Sequence, residues 1–246
     1  MYSWTFDGDR ALTFHIPESW SRPHGKSVRM ARVAIQCGMR AALRTYNPLE
    51  VVGRENLPPD TPFVMICNHS SHLDAVCLLA SLPLTRVQNA FPVAAADYFF
   101  STPVRSFLST IAVNGVPLDR HNGSDGLQAC RQLLAKPKTV LIIFPEGTRT
   151  CSGTLGRFRS GVARLVAGTD VPVVPCYLSG AFEVWPKGQL LPRPGALRLV
   201  IGRPQTFPDA SPQDRTTVAA ISSHLRDDVL DLEERALRCR ALRPPQ

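Results

Sequence analysis

The chain lacks the long apolar run of a membrane-spanning helix. Such a helix needs about 18 consecutive apolar residues, and the best runs here, around 63–67 and 140–144, are far shorter. The opening stretch, MYSWTFDGDR, lacks the basic-then-apolar pattern of a secretory signal. No CxxC pair occurs among the seven cysteines, at 37, 67, 77, 130, 151, 176 and 239. An odd count, with several cysteines inside apolar runs, argues for a reduced, cytosolic chain over a disulfide scaffold. There is no internal repeat, no low-complexity tract and no GxSxG nucleophile elbow.

Acidic residues are in the minority. Lys and Arg number 28 against 20 Asp and Glu, a net charge of +8. That excess favours anionic partners: nucleic acid, anionic lipid headgroups or phosphorylated substrates. Helix-turn-helix, zinc-finger and RNP patterns are missing, and aromatics are not interleaved with the basic stretches. A nucleic-acid-binding domain is therefore the weaker reading of the charge, and no nucleic-acid partner is expected. No acid occurs between Lys26 and Glu50. Over 27–45 the periodicity predicts a helix with Arg29, Arg32, Gln36, Arg40 and Arg44 on one stripe. Val28, Met30, Ile35, Met39 and Leu43 occupy much of the remainder. Two readings stay open: a surface helix packed on the core with its arginines solvated, or a helix lying on an anionic membrane.

The 246 residues suffice for one large α/β domain or two small ones, and the single domain is expected. Residues 1–48 are expected to form an N-terminal arm and the basic amphipathic helix, 49–210 the core, and 211–246 a C-terminal helix of the same domain. Strands are predicted at 62–67, 90–95, 110–114, 139–144, 171–176 and 197–201. Helices are predicted at 73–81, 103–109, 124–135 and 159–168. This alternation implies a mixed, mostly parallel sheet covered by helices on both faces, with functional loops beyond strand ends. The prolines of VPVVPC, 171–176, suggest a short strand at the rim of a site. In the last segment Ser211 is the expected N-cap, Pro212 the first helical residue and Asp214 a first-turn acid. Val218, Ile221, Leu225, Val229 and Leu232 then recur at spacings of three and four, the apolar stripe of a docked helix.

Chemistry gathers in three places. CNHSSHLD, 67–74, follows an apolar strand. If a helix begins near Leu73, Asp74 folds back toward His69, and a carboxylate on one ring nitrogen makes the other a better base. Such a dyad, without a protein nucleophile, suits activation of a substrate hydroxyl. The alternative has Asp74 as a helix cap and His69 as a bystander. A metal site built from Cys67, His69, His72 and Asp74 lacks a second ligand pair, so no metal is expected. LIIFPEGTRT, 141–150, runs a strand into Glu146, Gly147, Thr148 and Arg149. A glycine turn with exposed N–H groups and a guanidinium fork suits a phosphate, and Glu146 can hold Arg149 or a substrate hydroxyl. VNGVPLDR, 113–120, ends in Asp119 and Arg120.

Taken together and in order, these segments resemble the glycerolipid acyltransferase family, which contains lysophosphatidate and glycerol-3-phosphate acyltransferases. NHxxxxD matches Asn68, His69 and Asp74. A glycine followed by apolar residues and Asp-Arg matches Gly115 to Arg120. FPEGTR matches 144–149 without change, VPVVP matches 171–175, and FRSG at 158–161 is similar to the family's Phe-Lys-x-Gly. The resemblance covers roughly 50–205. It implies direct transfer of an acyl group from acyl-CoA or acyl-carrier protein, as co-substrate without a further cofactor, to a lysophospholipid hydroxyl. His69 and Asp74 would be catalytic, and Arg120 with Glu146 to Arg149 would hold the acceptor phosphate, most simply that of 1-acylglycerol-3-phosphate. The expected location is cytoplasmic, peripheral on the inner face of a membrane, with an anionic surface as partner. One departure is that VAAADYFF, 93–100, has no lysine where the family often carries one. This keeps another lysophospholipid, an aminolipid or a glycolipid open as acceptor.

Overall fold

A computed structural model describes residues 25–95, 116–118 and 123–241. The strand expected at 110–114, the helix at 103–109 and Arg120 lie outside them.

Helix α1, Lys26–Thr45, precedes strand β1, Leu49–Val52. Strand β2, Phe63–Cys67, leads into helix α2, Asp74–Ser81, the short helix α3, Leu84–Val87, and strand β3, Ala90–Ala95. Strand β4 is Val116–Leu118, helix α4 Gly123–Leu134, strand β5 Val140–Ile143 and helix α5 Gly161–Val166. Then come strand β6, Thr169–Ser179, helix α6, Ala181–Val184, strand β7, Leu197–Ile201, strand β8, Gln205–Phe207, and helix α7, Arg215–Ala241. The strands form one mixed sheet in the order β1-β7-β6-β2-β5-β3-β4, with β8 on β6. Pairing is parallel except where β6 meets β7 and β8. This is the α/β architecture that the alternation of apolar runs implied.

Strand β2 shows why the sheet is layered. All five of its residues are buried, as an unbroken apolar run in a parallel sheet should be. Val64 and Ile66 join a core with residues of α4, α5 and α7, whereas Phe63, Met65 and Cys67 join a second core with α2 and Leu43 of α1. Val218, Ile221, Leu225, Val229 and Leu232 of α7 are all buried against the first core, so the predicted stripe is the docking face.

Three expectations need correction. Strand β6 is longer than 171–176, running through eleven residues near the middle of the sheet. Its prolines fall where the ladder is broken. Pairing with β2 begins at Val173, just after Pro172. The carbonyl of Pro175 accepts the N–H of Gly202, in the gap between β7 and β8. A strand residue's N–H and C=O point the same way, so the donor that Pro175 lacks faces that gap.

The cap of α7 is Asp214, not Ser211. Its carboxylate accepts the N–H groups of Thr216 at 3.0 Å and Thr217 at 3.1 Å, and the Thr217 hydroxyl. Ser211 instead opens a turn whose carbonyl accepts the Asp214 N–H.

The middle of the basic stripe of α1 turns inward, while Arg29 and Arg44 at its ends are exposed. Arg32 is 1% exposed and Gln36 is buried. Arg40 donates from Nη2 to the carbonyls of Leu79 and Leu82. These lie at the end of α2, where the dipole favours a cation; the Leu79 carbonyl also accepts the Leu82 N–H at 3.3 Å. The outward face carries Met30, 73% exposed, with Ala34, Cys37 and Ala41.

The Thr217 side chain, and then the capping N–H groups, hold the Asp214 carboxyl below its usual range. A depressed carboxylate stabilises the fold above the unfolded carboxylate range, and the effect is lost as pH falls through the folded value. Asp214→Ala is expected to lower Tm near neutral pH. The gap from wild type should close on acidification, and thermal unfolding across pH measures it.

Candidate active site

The site forms at the carboxyl ends of β2 and β5, which pair in parallel through Ile66 and Ile143. Loops at this end of a parallel sheet are its usual binding edge. Beyond β2 the chain reads Asn68-His69-Ser70-Ser71-His72-Leu73, and beyond β5 it reads Phe144-Pro145-Glu146-Gly147-Thr148-Arg149.

Asn68 continues the ladder with its side chain. Its Nδ2 donates to the carbonyl of Leu178 at 3.1 Å, and its Oδ1 accepts the Leu178 N–H at 2.8 Å. This fixes the first loop residue against β6.

Asp74, fully buried, points back into the turn. Its Oδ2 accepts the N–H groups of Ser70 at 2.7 Å and Ser71 at 2.9 Å, and lies 2.8 Å from Nδ1 of His69. The carboxylate thus closes the preceding turn and does not cap its own helix, for which no side-chain cap bond forms. With Nδ1–H donated to the carboxylate, Nε2 of His69 carries the lone pair. The ring stacks on Phe144, centroids 4.0 Å apart and planes 14° apart. Its side chain is 23% exposed, which leaves a face open to a reactant.

Glu146 was expected to hold Arg149 or a substrate hydroxyl. Instead both its oxygens are taken by backbone: Oε1 accepts the His69 N–H and Oε2 the Gly156 N–H, each at 2.8 Å. Burial pushes its carboxyl upward, and the two N–H groups oppose that shift. A side chain at Gly156 would meet Oε2 at 2.8 Å, so the close approach requires glycine. The Thr150 N–H donates to the His69 carbonyl at 2.9 Å, so His69 is gripped on both sides by the second loop.

Gly147 adopts φ +72°, with its N–H on the Phe144 carbonyl. The Arg159 side chain lies over it, 2.6 Å from where a Cβ would stand. Thr148 is exposed. Nη1 of Arg149 lies 2.8 Å from Nδ1 and 2.7 Å from Nε2 of His72. His72 in turn packs beside Trp185, with ring centroids 5.0 Å apart. The Ser71 hydroxyl donates to the Trp185 carbonyl at 2.8 Å. His69, Asp74, Glu146, Gly147, Thr148 and Arg149 are therefore brought together on two neighbouring loops.

The four groups of the metal reading diverge. Cys67 turns to Asn68 and His72 to Arg149, and only His69 and Asp74 meet. Burial drives the Cys67 thiol far upward. Sequence reasoning missed the roles of Asn68, Gly156, Arg159 and Trp185. The first three carried a signal, since Asn68 and Arg159 stand in motif positions and Gly156 lies just past the FPEGTR turn. Trp185, far along the chain, carried none.

A sequence model of the family described as Acyltransferase matches residues 48–179. The chloroplastic 1-acyl-sn-glycerol-3-phosphate acyltransferase BAT2 of Brassica napus is 34% identical over 160 residues, 63% of this chain and 44% of that protein. The 1-acyl-sn-glycerol-3-phosphate acyltransferase of Bacillus subtilis is 28% identical over 199 residues, 80% of this chain and 91% of that one. This chain spans less than half the length of the plant and algal relatives first matched, at 44% to 48%. In fold it is similar to the crystal structure of the 1-acyl-sn-glycerophosphate acyltransferase PlsC from Thermotoga maritima. The TM-score is 0.64 at 22% identity, over 88% of this chain and 85% of that one.

Asn68→Ala would strand the N–H and C=O of buried Leu178. Each unpaired group costs about 1–3 kcal/mol, so denaturant unfolding is expected to show a loss of about 2 kcal/mol or more.

Proposed function

The chain belongs to the acyltransferase family, and on that premise we propose that it transfers a fatty acyl group from an acyl thioester to the free hydroxyl of a lysophospholipid, 1-acylglycerol-3-phosphate first among them, in phospholipid synthesis. The observation that carries the reading is the Asp74–His69 pair, at 2.8 Å, set beside the FPEGTR turn. Nε2 of His69 takes the proton of the acceptor hydroxyl, and the oxygen attacks the thioester carbonyl. The tetrahedral adduct expels the thiolate, which takes the proton back from His69 and leaves as a thiol. The products are an ester and free CoA or carrier-protein thiol, and no acyl-enzyme or further cofactor enters. Asp74 holds the ring in the right tautomer and offsets the charge of the imidazolium.

The acceptor phosphate is assigned to the FPEGTR turn, with Arg149 as its fork. Arg159 beside Gly147 adds a second cation, and Arg120 joins them by its motif. Glu146 supports the loop. The working surface is an anionic leaflet; among the described residues no helix is long and apolar enough to cross a membrane. On this reading the protein is peripheral, on the cytoplasmic face.

Purified protein with acyl-CoA or acyl-carrier protein and a panel of lysolipids, followed by mass spectrometry, tests the reading and ranks acceptors. His69→Ala is expected to lower kcat by about a hundredfold or more, the scale of a general base, while its circular dichroism stays native. Arg149→Ala is expected to raise the acceptor KM more than the donor KM. A rise in the donor KM alone would move the donor's phosphates to this turn.

A further inference from the structure

Residues 186–195 form a projecting loop with two adjacent leucines at its tip. Leu190 is 88% exposed, the highest value for a large apolar side chain among the described residues, and Leu191 is 72% exposed. Single exposed leucines are ordinary on a protein surface, but two at the end of a braced loop call for an explanation.

The loop is held rather than slack. Trp185 Nε1 donates to the Gln189 carbonyl at 3.0 Å, and the Arg193 N–H donates to the Val184 carbonyl at 2.9 Å. From the end of α1, Asn47 Nδ2 donates to the carbonyls of Arg193 at 2.8 Å and Gly195 at 3.2 Å. The Tyr46 hydroxyl donates to that of Pro192 at 3.2 Å. The chain on either side of the tip is thus fastened, and the leucines are presented outward by fixed backbone.

Exposed Lys187 and Arg193 flank the tip, exposed Arg44 precedes Tyr46, and no acidic residue lies between Glu183 and Asp209. Apolar side chains between cations complement one environment in particular: an anionic bilayer surface, with phosphates above an acyl layer. The root of the loop is the site itself. The Trp185 carbonyl accepts the Ser71 hydroxyl and the His72 N–H, and the Trp185 ring packs beside His72.

We propose that Leu190 and Leu191 enter the acyl layer of an anionic membrane, with Lys187 and Arg193 on its phosphates, and so hold the mouth of the His69 site against the bilayer. The inference rests on the lysolipid acyltransferase reading for its purpose. The surface itself is tested without turnover.

The probe is phosphatidylcholine vesicles with and without phosphatidylglycerol, free of lysolipid. Leu190→Ser with Leu191→Ser is expected to weaken partitioning onto anionic vesicles about tenfold or more. Tm, and the rate on a short-chain acceptor monomeric in solution, should stay unchanged. Lys187→Gln with Arg193→Gln should weaken binding to anionic vesicles and leave binding to neutral ones unaltered. In Leu190→Trp, brominated acyl chains should quench the new indole fluorescence. Partitioning of the double serine variant equal to wild type, or no quenching in Leu190→Trp, overturns the proposal. So does loss of a dimer by the serine variant in sedimentation without vesicles, which would make a second copy the occupant. If the leucines govern vesicle binding but no lysolipid is acylated in solution, the surface stands and the enzyme reading falls.

Discussion

The Glu146 carboxylate ties the two loops of the site into one body. Ile66 of β2 pairs with Ile143 of β5, and His69 and Glu146 each lie three residues beyond that pair. The register therefore delivers the carboxylate to the His69 N–H without a search. Taking a carboxylate out of water is costly unless it is hydrogen-bonded, and here two backbone N–H groups meet it. With the Thr150 N–H on the His69 carbonyl, both peptide groups of the histidine are fixed. What freedom remains to the ring is taken up by Phe144 on one face and Asp74 at Nδ1. An imidazole held in one place is the outcome of this chain of contacts, which begins from the parallel register of β2 and β5, and the base of the proposed reaction would need no reorganisation before it accepts a proton.

Legibility in the sequence followed how local the cause was. The FVMIC run and the stripe of α7 name their own burial, because a fully apolar strand and a three-four repeat have few other uses. The His69–Asp74 contact was legible because five positions and one turn separate the partners. The clasp of Glu146 was not, since its partners are backbone groups that carry no residue signature. The prolines of β6 misled for a related reason. A proline reads as a strand edge, yet the interruption lies in its neighbour, at the break between β7 and β8. Asp214 displaced Ser211 as cap because Pro212 sits in a turn that ends one residue short of the helix.

Helix α1 is the clearest case of a pattern with two solutions. Periodicity separates its arginines from its apolar residues but does not say which side faces in. The deciding group is outside the helix: the end of α2 presents the carbonyls of Leu79 and Leu82, and Arg40 reaches both. Burying a guanidinium is costly, and desolvation lowers the pKa of both Arg32 and Arg40. The exchange leaves Met30 and small apolar residues outward. The basic charge available to a partner surface therefore lies at the ends of the stripe, Arg29 and Arg44, and on Lys187 and Arg193.

The surroundings of His69 also bear on which kind of transfer the pair can serve. A covalent route needs a nucleophile within reach of Nε2. The neighbouring thiols, Cys67, Cys77 and Cys176, are buried, and burial drives each of them upward, away from the thiolate. Ser71 is committed, donating to the Trp185 carbonyl and accepting the Leu73 N–H. Ser70 is buried with its N–H on Asp74. Among the described residues, then, the neighbouring thiols stay protonated, the Ser71 hydroxyl is engaged and Ser70 is buried. On the proposed reading such a base acts on a hydroxyl that arrives with the substrate, and the turn beside it, with Arg149 and Arg159, offers two cations to the anionic end of the same molecule.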